Sequence, residues 1–325
     1  MSNAPDIPRF LAPMAEFTSP PMRVLCEACG AQRTYTEMVN AEGICRRSEK
    51  TLFLLETFPE EQHVWAHIYG PDPDRLAEAA AYVESLGRFE GIDINAGCPV
   101  PRITSQGAGS ALLKNLPRLG EIMRKVKAAV ALPVSVKTRI GPHPQCLTWR
   151  ETLAMAEDAG LDALAIHARF TSQGHGGTVH LDVLREIAAA ARIPIYGNGS
   201  VMDAASAASM AETGVRALLI ARAALDNPWV FAFTRGDPAE LAERHFGLEL
   251  RYRKSAERFS RLSAEEAAVL TFRRHLFRYF KGLPGSNTMR GHLMNLHTAA
   301  DVRRVIAGFC SSADRGNLPD GTDLC

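Results

Sequence analysis

Short apolar runs alternate with amphipathic stretches along the first two thirds of the chain. The run 7–11 ends before Pro13, which cannot extend a ladder, so it reads as a strand followed by a loop. Ser19-Pro20 then predicts a helix start, serine as cap and proline in the first turn. Strands follow at 34–36 and 64–69, the latter closed by Gly70-Pro71. Asp72-Pro73 repeats the cap-and-proline signal, and Leu76, Ala79, Ala80 and Val83 fall on one helical face. A fourth strand at 92–94 precedes a helix marked by Leu119, Ile122, Met123, Val126 and Val130, and a fifth strand spans 134–137. A helix at 149–158 stops at Gly160 before a strand at 163–167. A helix at 181–191 leads to a strand at 193–196, and a helix from Asp203 leads to a strand at 217–220. The helix–Gly–strand unit at 159–166 is echoed at 213–220.

Eight strands alternating with helices over roughly 220 residues predict a (β/α)8 barrel. An open doubly wound sheet is the alternative, but no Gly-x-Gly-x-x-Gly follows the first strand. After Phe233 strand signals vanish and long helical runs begin. The expected division is a barrel domain over 1–235 and a smaller all-helical domain over 236–325. The tail from about Ser311, rich in Ser, Asp, Gly, Asn and Pro, is expected to be loosely ordered.

Composition adds exclusions. With 46% hydrophobic and 22% charged residues the chain is of ordinary globular make-up. No run of about 18 apolar residues predicts a membrane span, and no secretory signal is visible. Seven cysteines, an odd number, suit reduced thiols in a cytoplasmic protein. Cys26-x-x-Cys29 lacks a second pair and reads as two thiols on one helix face. No metal site and no obligate protein partner are expected.

The net charge of +1 names no partner, but charge is uneven. Between Glu240 and Arg304 stand thirteen Lys/Arg against seven Asp/Glu, with Arg273, Arg274 and Arg278 interleaved with aromatic residues. That pattern fits a nucleic-acid surface, but taken alone it fits a solvated helix face better.

In a parallel barrel the strand C-termini share one face, where active sites lie. The groups predicted there are Pro13-Met14-Ala15, Glu37, His67, Asn95 with Cys98, Lys137 with Arg139, His167, Asn198, and Ala221-Arg222. Basic or amide groups at most of these ends point to an anionic ligand. Gly197 and Gly199 free the backbone to approach a phosphate, and the helix from Asp203 is expected to add its N–H groups. Cys98 follows the turn Asn95-Ala96-Gly97 and is stopped by Pro99, a thiol placed for chemistry; a packed cysteine is the alternative.

These residues carry a resemblance to the tRNA-dihydrouridine synthase family. The matching blocks are Ala12 to Ala15, Thr36 to Val39, Ile92 to Asn95 with Gly97-Cys98-Pro99, Gly107 to Leu113, Val136 to Gly141, Ile166-His167, Gly197 to Gly199, and Arg222 to Trp229, in family order. Arg278 to Gly282 matches more loosely. The resemblance implies an FMN-binding barrel with a helical tRNA-binding domain, reducing the C5–C6 bond of particular uridines in tRNA with NADPH as reductant. Hydride from the flavin goes to C6, and Cys98 protonates C5. By the same resemblance Pro13, Met14, Ala15, His67, Lys137 and His167 lie about the flavin ring, with His67 donating a hydrogen bond to it. Asn198, Gly199, Ser200, Ala221 and Arg222 surround its phosphate, and Asn95, Arg139, Arg273, Arg274 and Arg278 serve the substrate. The sequence departs from the family in having His67 for Gln, Ser200 for an acid, Ala221 for Gly, and Ala168-Arg169-Phe170 for Gly-Arg-Thr. A small-pyrimidine reductase akin to dihydroorotate dehydrogenases, or an RNA-binding barrel without catalysis, are the other readings.

Overall fold

A computed structural model describes residues 5–283, 286, 291 and 293–313. Its strands are β1 (Arg9–Leu11), β2 (Thr34–Tyr35), β3 (Val39–Asn40), β4 (Val64–Tyr69), β5 (Gly91–Asn95), β6 (Val134–Gly141), β7 (Ala163–Phe170), β8 (Ile195–Asn198) and β9 (Ala217–Ile220). All pair in parallel in the order β1-β9-β8-β7-β6-β5-β4-β2, with β3 also beside β4. A bridge between Phe10 and Arg33, with Leu11 N–H donating to the Arg33 carbonyl at 2.8 Å, closes the ring into a barrel. The predicted (β/α)8 architecture is therefore present.

The differences have local causes. β3 and the short helices Ala41–Cys45 and Glu49–Leu52 are too brief for periodicity to reveal. β6 and β7 continue past Lys137 and His167, with the residues beyond them buried through Gly141 and Phe170. Ser19 does sit at the N-cap of helix Pro20–Ala28, but its side chain makes no capping bond. Pro20 and Pro21 carry no N–H, so little remains there to cap. By contrast Asp72 accepts from the N–H groups of Asp74 and Arg75, and Leu76, Ala79, Ala80 and Val83 are all buried. In the next helix, Leu116–Ala129, the expected face holds except for Val130, which is the half-buried C-cap.

The barrel interior is apolar at one end and polar at the other. At the N-terminal end the Arg33 guanidinium lies over the rings of Trp65 (4.1 Å) and Phe10 (4.5 Å). Tyr35, Ala165, Ala217 and Leu219 complete this packing. Gly91 is required here: a Cβ would stand 2.4 Å from the Trp65 indole. Toward the C-terminal rim the strands align His67, Asp93 and Ser135 in one row. Arg139, His167 and Asn198 form another. All six are buried.

The chain forms two compact units, Met1–Ala224 with Val230–Phe233, and Leu225–Trp229 with Thr234–Cys325. The second is built on helices Pro238–Ala256, Ala264–Phe280 and Ala299–Ala313. Phe246, Phe272, Leu276 and Phe280 form its core together with the buried polar residues His245, Glu249 and His275. Residues 311–313 belong to the last helix; the rest of the expected tail lies outside the described residues. Among the described residues no helix is long and apolar enough to cross a membrane.

Candidate active site

β5 delivers the chain to Asn95, whose side chain sets the turn that follows. Its Oδ1 accepts from the N–H groups of Gly97 and Cys98, both at 3.0 Å. This is the local bonding that makes Asn a turn residue. Arg139 on β6 grips the same turn, donating from Nε to the Gly97 carbonyl at 2.7 Å and from Nη1 to the Phe170 carbonyl at 3.0 Å. From the other side Ser110 N–H donates to the Cys98 carbonyl at 2.9 Å. Gly109, at φ +60°, comes so close that a Cβ would stand 2.7 Å from that carbonyl. Cys98 is thus a free, half-buried thiol on a turn held from three directions.

Lys137 lies one strand away, paired in register with Asn95. It is half-buried, and among the described residues its ammonium has no ion pair or hydrogen bond. Burial, then the Arg139 charge, push it down to about 8, against the pull of Asp93 and Cys98. The thiol and the ammonium therefore share one electrostatic environment.

On β7, His167 accepts at Nε2 from Arg169 Nη1 at 3.0 Å. A guanidinium only donates, so Nδ1 carries the histidine proton. Burial and the charges of Lys137, Arg139 and Arg169 hold His167 far below its ordinary range, hence neutral. Arg169 also donates to the Gly177 carbonyl (2.8 Å) and to Ser200 Oγ (2.8 Å). It lies outside the expected set of site residues. Its place two residues beyond His167, on the same strand face, is the signal that finds it.

Around the ends of β8 and β9, Asn198 donates from Nδ2 to the Leu219 carbonyl at 2.8 Å. Gly199 has φ +134°, and a Cβ there would lie 3.3 Å from His167 and Val179. Ser200 is left-handed at φ +52°. Ala221 packs against the barrel core, and the exposed Arg222 donates to the His175 carbonyl at 3.1 Å. Pro13 and Met14 are half-buried after β1, with Ala15 exposed.

Two expectations need correction. The helix from Asp203, Ala204–Ala211, does not offer a free N-terminus. Asp203 Oδ1 accepts from Ser206 N–H at 2.8 Å in a reciprocal capping box, so a carboxylate already occupies the place assigned to phosphate. The expectation that His67 donates is narrowed to one ring nitrogen, because the other is taken. Its Nδ1 contacts Asp93 Oδ2 at 2.6 Å, and Ser135 Oγ–H donates to Asp93 Oδ1 at 2.5 Å. With the Nδ1 proton committed to the carboxylate, a neutral His67 offers Nε2 as an acceptor.

The rim thus gathers Pro13 to Ala15, His67, Asn95, Cys98, Lys137, Arg139, His167, Asn198 to Ser200, Ala221 and Arg222. Arg273, Arg274 and Arg278 belong to the helical unit and are half-buried. Arg273 donates to the Leu296 carbonyl, and Arg278 pairs with Asp226 at 2.6 Å. The exposed cations of that unit include Lys254, Arg258 and Arg261.

The dihydrouridine synthase (Dus) family model matches residues 10–312. The chain is 34% identical over 309 residues to tRNA-dihydrouridine synthase B of Pseudomonas aeruginosa, covering 91% of this chain and 92% of that one. It is 32% identical over 314 residues to a probable tRNA-dihydrouridine synthase of Treponema pallidum, covering 93% and 92%. Among solved structures, morphinone reductase superposes with a TM-score of 0.52 at 12% identity, over 72% of this chain and 88% of that one, a likeness of fold alone. On the strength of the family model and these relatives, the chain belongs to the dihydrouridine synthase family.

Proposed function

We propose that this chain is a flavin-dependent tRNA-dihydrouridine synthase that saturates the C5–C6 bond of uridines in tRNA, with FMN as cofactor and NADPH as reductant. The carrying observation is the Cys98 turn, held by Asn95, Arg139 and Gly109 within electrostatic reach of the unpaired Lys137 ammonium. The donor set fits an anionic ring cofactor. Lys137, Arg169 and Arg222 carry positive charge with no carboxylate partner among the described residues, and Gly199 leaves open backbone where a side chain would crowd. Lys137 and His167 would hold the ring, with Pro13 to Ala15 and His67 beside it. Asn198, Gly199, Ser200, Ala221 and Arg222 would hold the phosphate, without help from the capped helix at Asp203.

A bound reduced flavin supplies hydride to C6 of the uracil. Addition there leaves enolate-like charge that an acid must quench at C5. Cys98 holds that proton on Sγ as the positioned acid. Asn95 and Arg139 keep the thiol in place through the Gly97-Cys98 backbone. A uridine must leave its stack to reach a barrel rim, at a cost of a few kcal/mol. Phosphate contacts from the basic helical unit offset that cost.

The test compares dihydrouridine in tRNA from a deletion strain and its parent, with purified protein added back. Loss of the base at defined positions, restored by the protein with FMN and NADPH, is expected. Unchanged tRNA in the deletion strain overturns the assignment.

A further inference from the structure

We propose that Asp93 is a positioning residue that fixes His67 as the Nδ1–H tautomer, making His67 Nε2 an obligate hydrogen-bond acceptor for the imide N–H of the bound flavin ring. The inference rests on the flavin reading above and deepens it. No surface group competes for either side chain: Asp93 is fully buried and His67 nearly so. The three strands place His67, Asp93 and Ser135 in one register row. Asp93 commits Oδ2 to His67 Nδ1 and Oδ1 to Ser135. The backbone N–H of His67 donates to Thr36 Oγ1 at 2.9 Å, so the histidine is fixed at its root as well as its ring. Nε2 is the one ring nitrogen with no partner among the described residues.

The consequence is directional. An ionised carboxylate can only accept, so the proton of a neutral His67 stays on Nδ1 and the lone pair on Nε2. A flavin pyrimidine edge presents one N–H between two carbonyls. An acceptor matches the N–H and is repelled by either carbonyl. Where relatives carry Gln, one amide supplies both a donor and an acceptor and needs no tautomer set for it. With His in place of Gln, the buried carboxylate takes on the task of setting the tautomer. Asn at position 93 can donate an amide proton to Nδ1 and so release the wrong tautomer, the same failure that follows when the aspartate behind a catalytic histidine becomes asparagine.

The experiment uses the full-length chain. Nitrogen-15 NMR of labelled histidines in the wild-type protein should report Nδ1–H at His67, identified by the signal lost in His67→Gln; an Nε2–H signal overturns the proposal without any variant of Asp93. FMN and N3-methyl-FMN are then titrated into apo-protein. Wild type should prefer FMN by about tenfold or more, the worth of roughly one hydrogen bond plus the unmatched group. Asp93→Asn should erase most of that preference, while in the His67→Gln background the same substitution should leave it unchanged. Equal effects of Asp93→Asn in both backgrounds make Asp93 merely structural and overturn its role. Failure of the wild-type protein to take up FMN at all sinks the flavin reading and this proposal with it, a result distinct from the previous one.

Discussion

The barrel rim and the helical unit both anchor charged side chains, but they partner them differently. At the rim the arginines are met by dipoles: Arg139 by the carbonyls of Gly97 and Phe170, Arg169 by Gly177 and Ser200, Arg222 by His175. Lys137 has no ion pair among the described residues, with only the longer-range pull of Asp93 and Cys98. In the helical unit Arg273 also meets a carbonyl, but three other arginines are met by carboxylates: Arg253 by Glu249 at 2.6 Å, Arg278 by Asp226 at 2.6 Å, Arg303 by Glu243 at 2.8 Å. Dipoles fix a cation's position yet leave its net charge available, whereas a carboxylate cancels it. A surplus of charge is tolerable only where a ligand of opposite sign completes the site. On the function proposed above, the rim arginines would serve recognition, while Arg253, Arg278 and Arg303 are paired within the scaffold.

The largest effect that would break this contrast is at the rim. Cys98→Ala should slow uridine reduction by roughly 10²–10⁴, the usual worth of a positioned acid, in a single-turnover assay with reduced enzyme and tRNA. An unchanged rate would make the braced turn a packing motif like those of the helical unit.

Next comes the acid response of the helical unit. Burial pushes His245 down to about 3 and His275 well below its ordinary range. Unfolded, both imidazoles take up protons below about pH 6.5; folded, His245 stays neutral to about 3. Stability should therefore fall as pH drops from 6.5 toward 3, by about 2 kcal/mol at pH 5 from His245 alone. Urea denaturation at pH 7.5 and pH 5 measures it, and His245→Phe should shrink the difference. A pH-independent midpoint would show these histidines to be wetter than their surroundings imply.

How far the sequence already contained this contrast depends on periodicity. Strand ends are partly readable, because a run of apolar residues that stops at Gly or Pro marks the rim; Asn95 and Cys98 follow from that, while His67, Lys137 and His167 stand short of the ends of β4, β6 and β7. Arg169 is legible from its place two residues beyond His167, whereas Asp93 is harder, since it acts on His67 and only the strand register brings that pair together. The helical unit misleads for another reason. Phe272, His275, Leu276 and Tyr279 form the buried stripe of helix Ala264–Phe280, and Arg273 and Arg278 flank it. Long cationic side chains on such flanks lie along the core and reach local acceptors, so a cluster in sequence is not a cluster in solvent.

Two smaller effects sharpen the picture. Because burial holds Lys137 to about 8, it is a cation at pH 7 and largely neutral at pH 9. FMN binding should weaken over that interval by roughly five- to tenfold, about 1 kcal/mol of charge attraction, and Lys137→Arg should flatten the profile. Fluorescence titration at the two pH values decides it. Smallest is the exposed group of the helical unit. Reversing Lys254, Arg258 and Arg261 together should reduce the salt dependence of tRNA binding by roughly one slope unit for each phosphate no longer engaged, read from binding isotherms over a salt series. Arg278→Ala should instead lower the melting temperature by removing its Asp226 pair.

Arg33, wedged against Phe10 and Trp65, corks one end of the barrel. With that end packed, the function proposed above leaves nicotinamide and nucleic acid the opposite rim to approach by turns, so that an excess of either would obstruct the other.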